Sequence, residues 1–161
     1  MLAGGGVFAG VDRLVLDDRP LELRAQARAC YLGFIKLYDV DYFREAGAGG
    51  DATRCVRVSY LRDFSAEALD EATLKVFAER HGDGALRRYR RELEQVGMVY
   101  EPVAPGDRYT FCRAPGDTGL LLRDGREVMR VVTDGFAERF LEIWVRSEDA
   151  AQAPEWAFSR C

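Results

Sequence analysis

The sequence predicts an α+β domain in which one large antiparallel sheet is covered on one face by helices. Three observations carry that reading. Apolar residues recur with period two from Arg13 to Leu61 and again from Arg108 to Val132, and with helical period from Ser65 to Gly97 and after Asp134. Short turns join the strand segments, among them Asp124-Gly125 between two apolar runs, the strongest short hairpin signal. No internal repeat or linker-like stretch interrupts the series. The chain therefore reads as a single domain over residues 1–161, with its core at about 6–146 and a polar, proline-broken C-terminal tail.

Arg13-Leu14-Val15-Leu16 is a short strand, Asp17 to Pro20 a turn, and Leu21 to Leu32 a second strand. Gly33 is the turn residue before a third, Phe34 to Phe43. A flexible loop, Ala46 to Asp51, leads to Arg54 to Leu61, where Val56, Val58 and Tyr60 share a face. The period then changes. Ser65 is placed as an N-cap, with Phe64 and Leu69 as a hydrophobic staple, and Ala66, Leu69, Ala72, Thr73, Val76 and Phe77 form one helical stripe ending at Gly82. A second helix carries Leu86, Tyr89, Leu93 and Val96 on one side, with Gly97 as its stop. Three antiparallel strands follow Pro105, and Asp134 is positioned to cap a last helix bearing Phe136, Ala137, Phe140, Ile143 and Trp144. Trp156 and Phe158 are the only large apolar groups of the tail.

At 48% apolar and 31% charged residues the chain is neither disordered nor a membrane protein by composition. A net charge of −4 and a pI near 5.2 argue against a nucleic-acid groove. Arg87, Arg88, Arg90 and Arg91 read as a solvated helix face rather than a phosphate patch, since Glu92 and Glu94 follow at once. Cys30, Cys55, Cys112 and Cys161 lack metal-ligand spacing and His81 has no partner ligand, so no metal and no cofactor is expected. Four scattered cysteines beside an ample core read as buried small hydrophobes. No segment reaches the roughly 18 apolar residues of a membrane helix. The opening, Met1 to Gly6, lacks the features of a leader, which reads as cytoplasmic for the sequence as it stands and as exported if a leader has been trimmed, leaving the compartment open.

The candidate site lies on the third strand. Phe34, Lys36, Tyr38, Val40 and Tyr42 fall on one side and Ile35, Leu37, Asp39 and Asp41 on the other, so both faces are mixed and the strand is expected to be dry along part of its length and to face a cleft along the rest. A turn centred on Gly33 sets Arg28 opposite Tyr38, with cross-strand Cβ atoms about 4.5–5.5 Å apart. A guanidinium beside a phenol results, a donor set that suits a carboxylate. Asp39 and Asp41, with Lys36 and Arg44 nearby, read as surface charge rather than a catalytic pair, and His81 as a last-turn residue rather than a base.

Several segments together resemble the chalcone isomerase-like family: Phe34-Ile35-Lys36-Leu37-Tyr38, Tyr60 to Glu67, Gly106-Asp107-Arg108-Tyr109, Pro115 to Gly119, Asp124-Gly125, and Phe136-Ala137 followed by Ile143-Trp144. The resemblance runs from about Gly6 to Arg146 and implies an open-faced β-sandwich with a ligand cleft between sheet and helices. It also implies either an intramolecular lyase that closes a flavonoid ring from an enone or a non-catalytic relative, some of which bind fatty acids. The isomerases' polar positions fall here on Tyr38, Leu69, Ala72, Val76 and near Ile143, which removes the catalytic set. Tyr38 matches instead the fatty-acid-binding relatives, which hold a carboxylate with a tyrosine and an arginine; Arg28 or, failing that, Arg24 takes the arginine's part. The expected partner is thus a small amphipathic ligand, a fatty acid or a flavonoid-like molecule, and the oligomeric state is left open.

Overall fold

The computed structural model describes residues 13–47, 49–147 and 154–161; the opening stretch weighed above as a leader lies outside them. Strands β1 (Arg13–Leu16), β2 (Arg19–Tyr31), β3 (Ile35–Glu45), β4 (Arg54–Tyr60), β5 (Arg108–Ala114), β6 (Thr118–Arg123) and β7 (Arg126–Val131) form one seven-stranded sheet in chain order. Every neighbouring pair is antiparallel. Between β4 and β5 the chain leaves the sheet for two helices, α1 (Ala66–Arg88) and α2 (Arg90–Val99), and after β7 it forms α3 (Phe136–Leu141). A short pair, β8 (Val145–Ser147) and β9 (Glu155–Trp156), closes the series.

Alternation along the strands divides the sheet between two cores. On the helix side Val40, Tyr42, Val56, Val58, Phe111 and Leu121 pack with Phe77, Leu93, Val96, Phe136 and Phe140. On the other side Leu21, Phe43, Cys55, Cys112, Leu120 and Leu122 form a smaller cluster joined by Leu14, Leu16 and Leu23. The mixed pattern of the third strand thus reflects a change along its length: Val40 to Phe43 are buried in succession, whereas Ile35, Leu37, Tyr38 and Asp39 are only partly so and Lys36 is exposed.

Local signals account for most of α1. The Ser65 side chain accepts from the Ala68 N–H at 3.0 Å, satisfying a free donor of the first turn. Gly82, at φ 84° and ψ 169°, breaks the helical conformation where the sequence placed its end. Two glycine and cap readings are corrected. Gly97 does not stop α2, which continues to Val99; it is the point where α2 meets α1, and a Cβ there would lie 2.6 Å from the Asp70 carboxylate. Asp134 does not cap α3, whose N-cap is Gly135 in the left-handed region; the Asp134 carbonyl instead accepts the Tyr89 hydroxyl at 3.2 Å.

The cysteine reading is corrected as well. All four cysteines are bridged, Cys30 to Cys161 and Cys55 to Cys112. Cys55 and Cys112 are direct cross-strand partners of β4 and β5, a proximity that composition does not reveal because it depends on the register of strands separated by two helices. Cys161 reaches Cys30 because the C-terminal residues are not a loose tail. Cys30 N–H donates to the Ser159 carbonyl at 3.0 Å and Cys161 N–H to the Arg28 carbonyl at 3.2 Å, so the chain end runs along the edge of β2 beyond its pairing with β1.

The Gly97 contact gives a stability prediction. Gly97→Ala is expected to lower unfolding free energy by no more than about 1 kcal/mol, because the atoms it meets are the end of the Asp70 side chain and can turn aside, while the same change in an Asp70→Ala background is expected to be stabilising by up to about 1 kcal/mol from helix propensity. Urea unfolding of the two variants and the double variant checks the change of sign.

Candidate functional site

A one-residue irregularity decides which side chains meet. Tyr31 pairs with Ile35 and Cys30 with Lys36, as a turn centred on Gly33 requires, but Ala29 then pairs with Tyr38 and Arg28 with Asp39. Leu37 is the extra residue, a β-bulge. Because side chains alternate with period two, a shift of one residue exchanges faces. Arg28 and Tyr38 are therefore not cross-strand partners, which corrects the expected pairing. Arg28 Nε and Nη2 donate to the two Asp39 carboxylate oxygens at 2.6 and 3.0 Å. This pair continues on the same face into Asp41, which accepts from Gln26 at 2.8 Å and from Arg57 at 3.0 and 3.1 Å. The hydrogen bond and charge of Asp39 raise the Arg28 pKa further above its ordinary value. Both aspartates are thus held in ion pairs. Arg24 is itself the extra residue of a second irregularity, between Leu23 and Ala25, and is exposed.

Tyr38 faces the helices. With Leu37, Val58 and Tyr60 it forms the sheet wall of a cavity of about 320 Å³, closed by α1 through Ala68, Leu69, Ala72, Thr73 and Val76. Phe64, Tyr100, Ile143 and Trp144 complete the lining. The space exists because α1 presents two alanines where the sheet presents rings: Tyr38 and Tyr60 lie 6.2 Å apart between centroids, and Phe64 stands edge-on to Tyr60 at 5.8 Å. The bulge puts the neighbours Leu37 and Tyr38 on the same wall. Tyr38, Leu69, Ala72, Val76 and Ile143, the positions that the resemblance singled out, all line this one cavity. At the Tyr38 end, Phe158 of the C-terminal segment packs against the phenol ring at 5.9 Å.

No Asp, Glu, Lys, Arg or His is among the described lining residues. Neither Arg28 nor Arg24 is there. Polarity comes from hydroxyls. Burial pushes the Tyr38 phenol up to about 12, and raises Tyr60 well above its ordinary value, with Tyr100, Tyr38 and Tyr109 adding to the effect and Arg123 opposing it. Tyr100 is raised by burial. Arg123 lies over the Tyr109 ring at 4.9 Å and pairs with Asp107 and Asp124 at 3.1 and 3.2 Å, outside the lining. The second conspicuous polar residue of the helical layer, His81, is turned away: its Nε2 is 2.9 Å from the Arg139 carbonyl and its ring packs on Phe77.

Of the residues that line the cavity, sequence reasoning singled out Tyr38 and the α1 stripe but not Tyr60 or Tyr100. The signal for Tyr60 was present, since it shares a face with Val56 and Val58 and pairs with Tyr38. For Tyr100, which caps the end of α2, there was none.

A curled antiparallel sheet with helices on one face and a cavity between the layers defines the chalcone isomerase-like fold. No family model matches the chain, and no curated protein matches it in sequence. Among solved structures it is similar to a fatty-acid binding protein of Arabidopsis thaliana, with a TM-score of 0.59 over 84% of this chain and 90% of that one. At 11% sequence identity the likeness is one of fold.

Alkaline titration tests the burial of the phenols. A tyrosine whose pKa rises from 10.0 to about 12 on folding, as for Tyr38, contributes stability that is complete below the unfolded value and is lost as pH rises through the folded one. Phenolate absorbance from Tyr38, Tyr60 and Tyr100 is therefore expected to appear only together with loss of the near-ultraviolet circular dichroism of the folded protein. Conversion of all seven tyrosines without unfolding is the contrary result.

Proposed function

We propose that this chain is a single-domain, non-catalytic binding protein for a small amphipathic ligand, held in the cavity between the sheet and α1. The observation that carries it is the lining: an apolar pocket at the lower end of the roughly 300–1,000 Å³ typical of ligand sites, with a few hydroxyls to orient a polar group. The Arabidopsis neighbour of the same fold is named a fatty-acid binding protein, which supports a hydrocarbon-bearing ligand. Tyr38 is assigned to contact the ligand. Arg28 has no such part in the cavity, because it lies on the opposite face, where Asp39 takes its Nε and Nη2 donors. The isomerase reading is disfavoured because Leu69, Ala72, Val76 and Ile143 stand where it needs polar groups and no cation is among the described lining residues to hold a phenolate, although the Tyr38 and Tyr60 hydroxyls are there.

Filling the cavity tests the proposal. Ala72→Trp is expected to weaken binding of an apolar fluorescent probe at least tenfold in a titration while the far-ultraviolet circular dichroism stays that of the parent. The parent is also expected to leave the cyclisation of a chalcone at its rate in buffer. Unchanged probe binding would remove the cavity as the site, and a saturable acceleration would restore the enzyme.

We further propose an oxidising compartment as the working environment, since disulfides persist there and not in a reducing cytosol. Protein purified without reductant is expected to take up no alkylating reagent before reduction and four equivalents after it, by intact mass. Uptake before reduction would contradict this.

A further inference from the structure

The hydroxyl inventory of the cavity is unequal in donors and acceptors. Thr73 Oγ1 donates to the Leu69 carbonyl at 2.8 Å and lies 2.7 Å from the Tyr100 hydroxyl. A threonine hydroxyl has one hydrogen, so the second contact is a donation from Tyr100. Tyr100 consequently meets the cavity with oxygen lone pairs only. Tyr38 and Tyr60 make no side-chain hydrogen bond among the described residues and keep their hydrogens for a ligand. The site thus offers two donors and one acceptor in surroundings without a charge.

An ionised carboxylate suits this set poorly. It is acceptor-only, so it can use Tyr38 and Tyr60 but is repelled by the Tyr100 oxygen. It also leaves water for a site with no cation to compensate the lost hydration. Arginines that approach these layers are engaged elsewhere, Arg28 with Asp39 and Arg123 with Asp107 and Asp124. A head group that both donates and accepts without carrying charge satisfies all three tyrosines.

We infer that the cavity selects a ligand with an uncharged hydrogen-bonding head, a primary alcohol or amide on a short apolar body, and discriminates against the matching carboxylate. This rests on the cavity being the ligand site proposed above.

The test is displacement of the apolar probe from the native, oxidised protein by decanol, decanamide and decanoate, at a pH well above the usual carboxylate pKa of about 4–5. The amide and the carboxylate share size and shape, so their ratio reports charge. Decanol and decanamide are expected to bind at least about tenfold more tightly than decanoate, and Tyr38→Phe to reduce the amide-to-carboxylate ratio threefold to tenfold, the scale of one hydrogen bond. Equal displacement by all three, none by any, tighter binding of decanoate, or a ratio unmoved by Tyr38→Phe overturns the inference while leaving a probe site that Ala72→Trp blocks. A parent protein that binds neither probe nor any of the three overturns the cavity as a ligand site altogether.

Discussion

Leu37 is one residue more than β2 can pair with, and much of the molecule depends on that excess. Upstream of it the β2–β3 hairpin keeps the register that its turn dictates; downstream, Ala29 rather than Arg28 stands opposite Tyr38. The exchange of faces turns Tyr38, Val40 and Tyr42 toward the helices and Asp39, Asp41 and Phe43 away from them. An unbulged hairpin with Tyr38 still on the helix side would bring Arg28 with it and set a cation in the cavity wall. The bulge instead delivers Arg28 to Asp39 and leaves the cavity neutral. Arg24, the extra residue on the other strand, restores the original register by Leu23, which confines the altered pairing to the stretch between the two.

Each face then solves a different physical problem. The outer face carries charge into a buried position: Asp41 and Arg57 are each 6% exposed. Such a pair is tolerable only when its remaining groups are satisfied, and Gln26 takes the second Asp41 oxygen while the Arg57 guanidinium also lies 4.9 Å from the Phe43 ring. On the inner face the described cavity lining is without charge and relies on rings, while Arg54 and Arg113, paired with Glu138, and Arg123, paired with Asp107 and Asp124, stand outside that lining. Tyr60 meets Tyr38, Phe64 and Tyr109, and Tyr109 meets Tyr100, so the phenols form a connected wall whose orientation is fixed by mutual packing rather than by ion pairs.

The architecture was legible because it rests on local and periodic signals. Ser65 caps α1, Gly82 breaks it, Asp124-Gly125 turns β6 into β7, and the face shared by Val56, Val58 and Tyr60 points as period two requires. What was not legible depends on pairs of distant residues. A bulge leaves no composition signature at Leu37; Gly97 is read as a stop by propensity and is retained by Asp70, a residue of another helix. The disulfides follow from the register of β4 against β5 and from the path of the chain end, neither of which the spacing of four cysteines encodes. The site was half legible for the same reason: Tyr38 and the α1 stripe are periodic features, whereas the neutrality of the cavity is a consequence of the bulge.

The C-terminal segment joins these themes. Past Glu22, where its pairing with β1 ends among the described residues, β2 has an edge that β1 does not pair, and an open edge is a liability that proteins cover. Residues 159–161 cover part of it with two backbone hydrogen bonds, and Cys30–Cys161 fixes them there. The same segment carries Phe158 onto the Tyr38 ring and Trp156 onto Phe158, and its Ala157 N–H donates to the carbonyl of Trp144, another residue of the cavity lining. One short stretch therefore covers part of the sheet edge and buttresses the Tyr38 phenol in the cavity wall. Its apolar residues, too few and too widely spaced to suggest an element of structure, are held by backbone hydrogen bonds to β2 and to Trp144 and by a disulfide whose partners lie 131 residues apart in sequence, so contacts distant along the chain set the Phe158 ring against Tyr38.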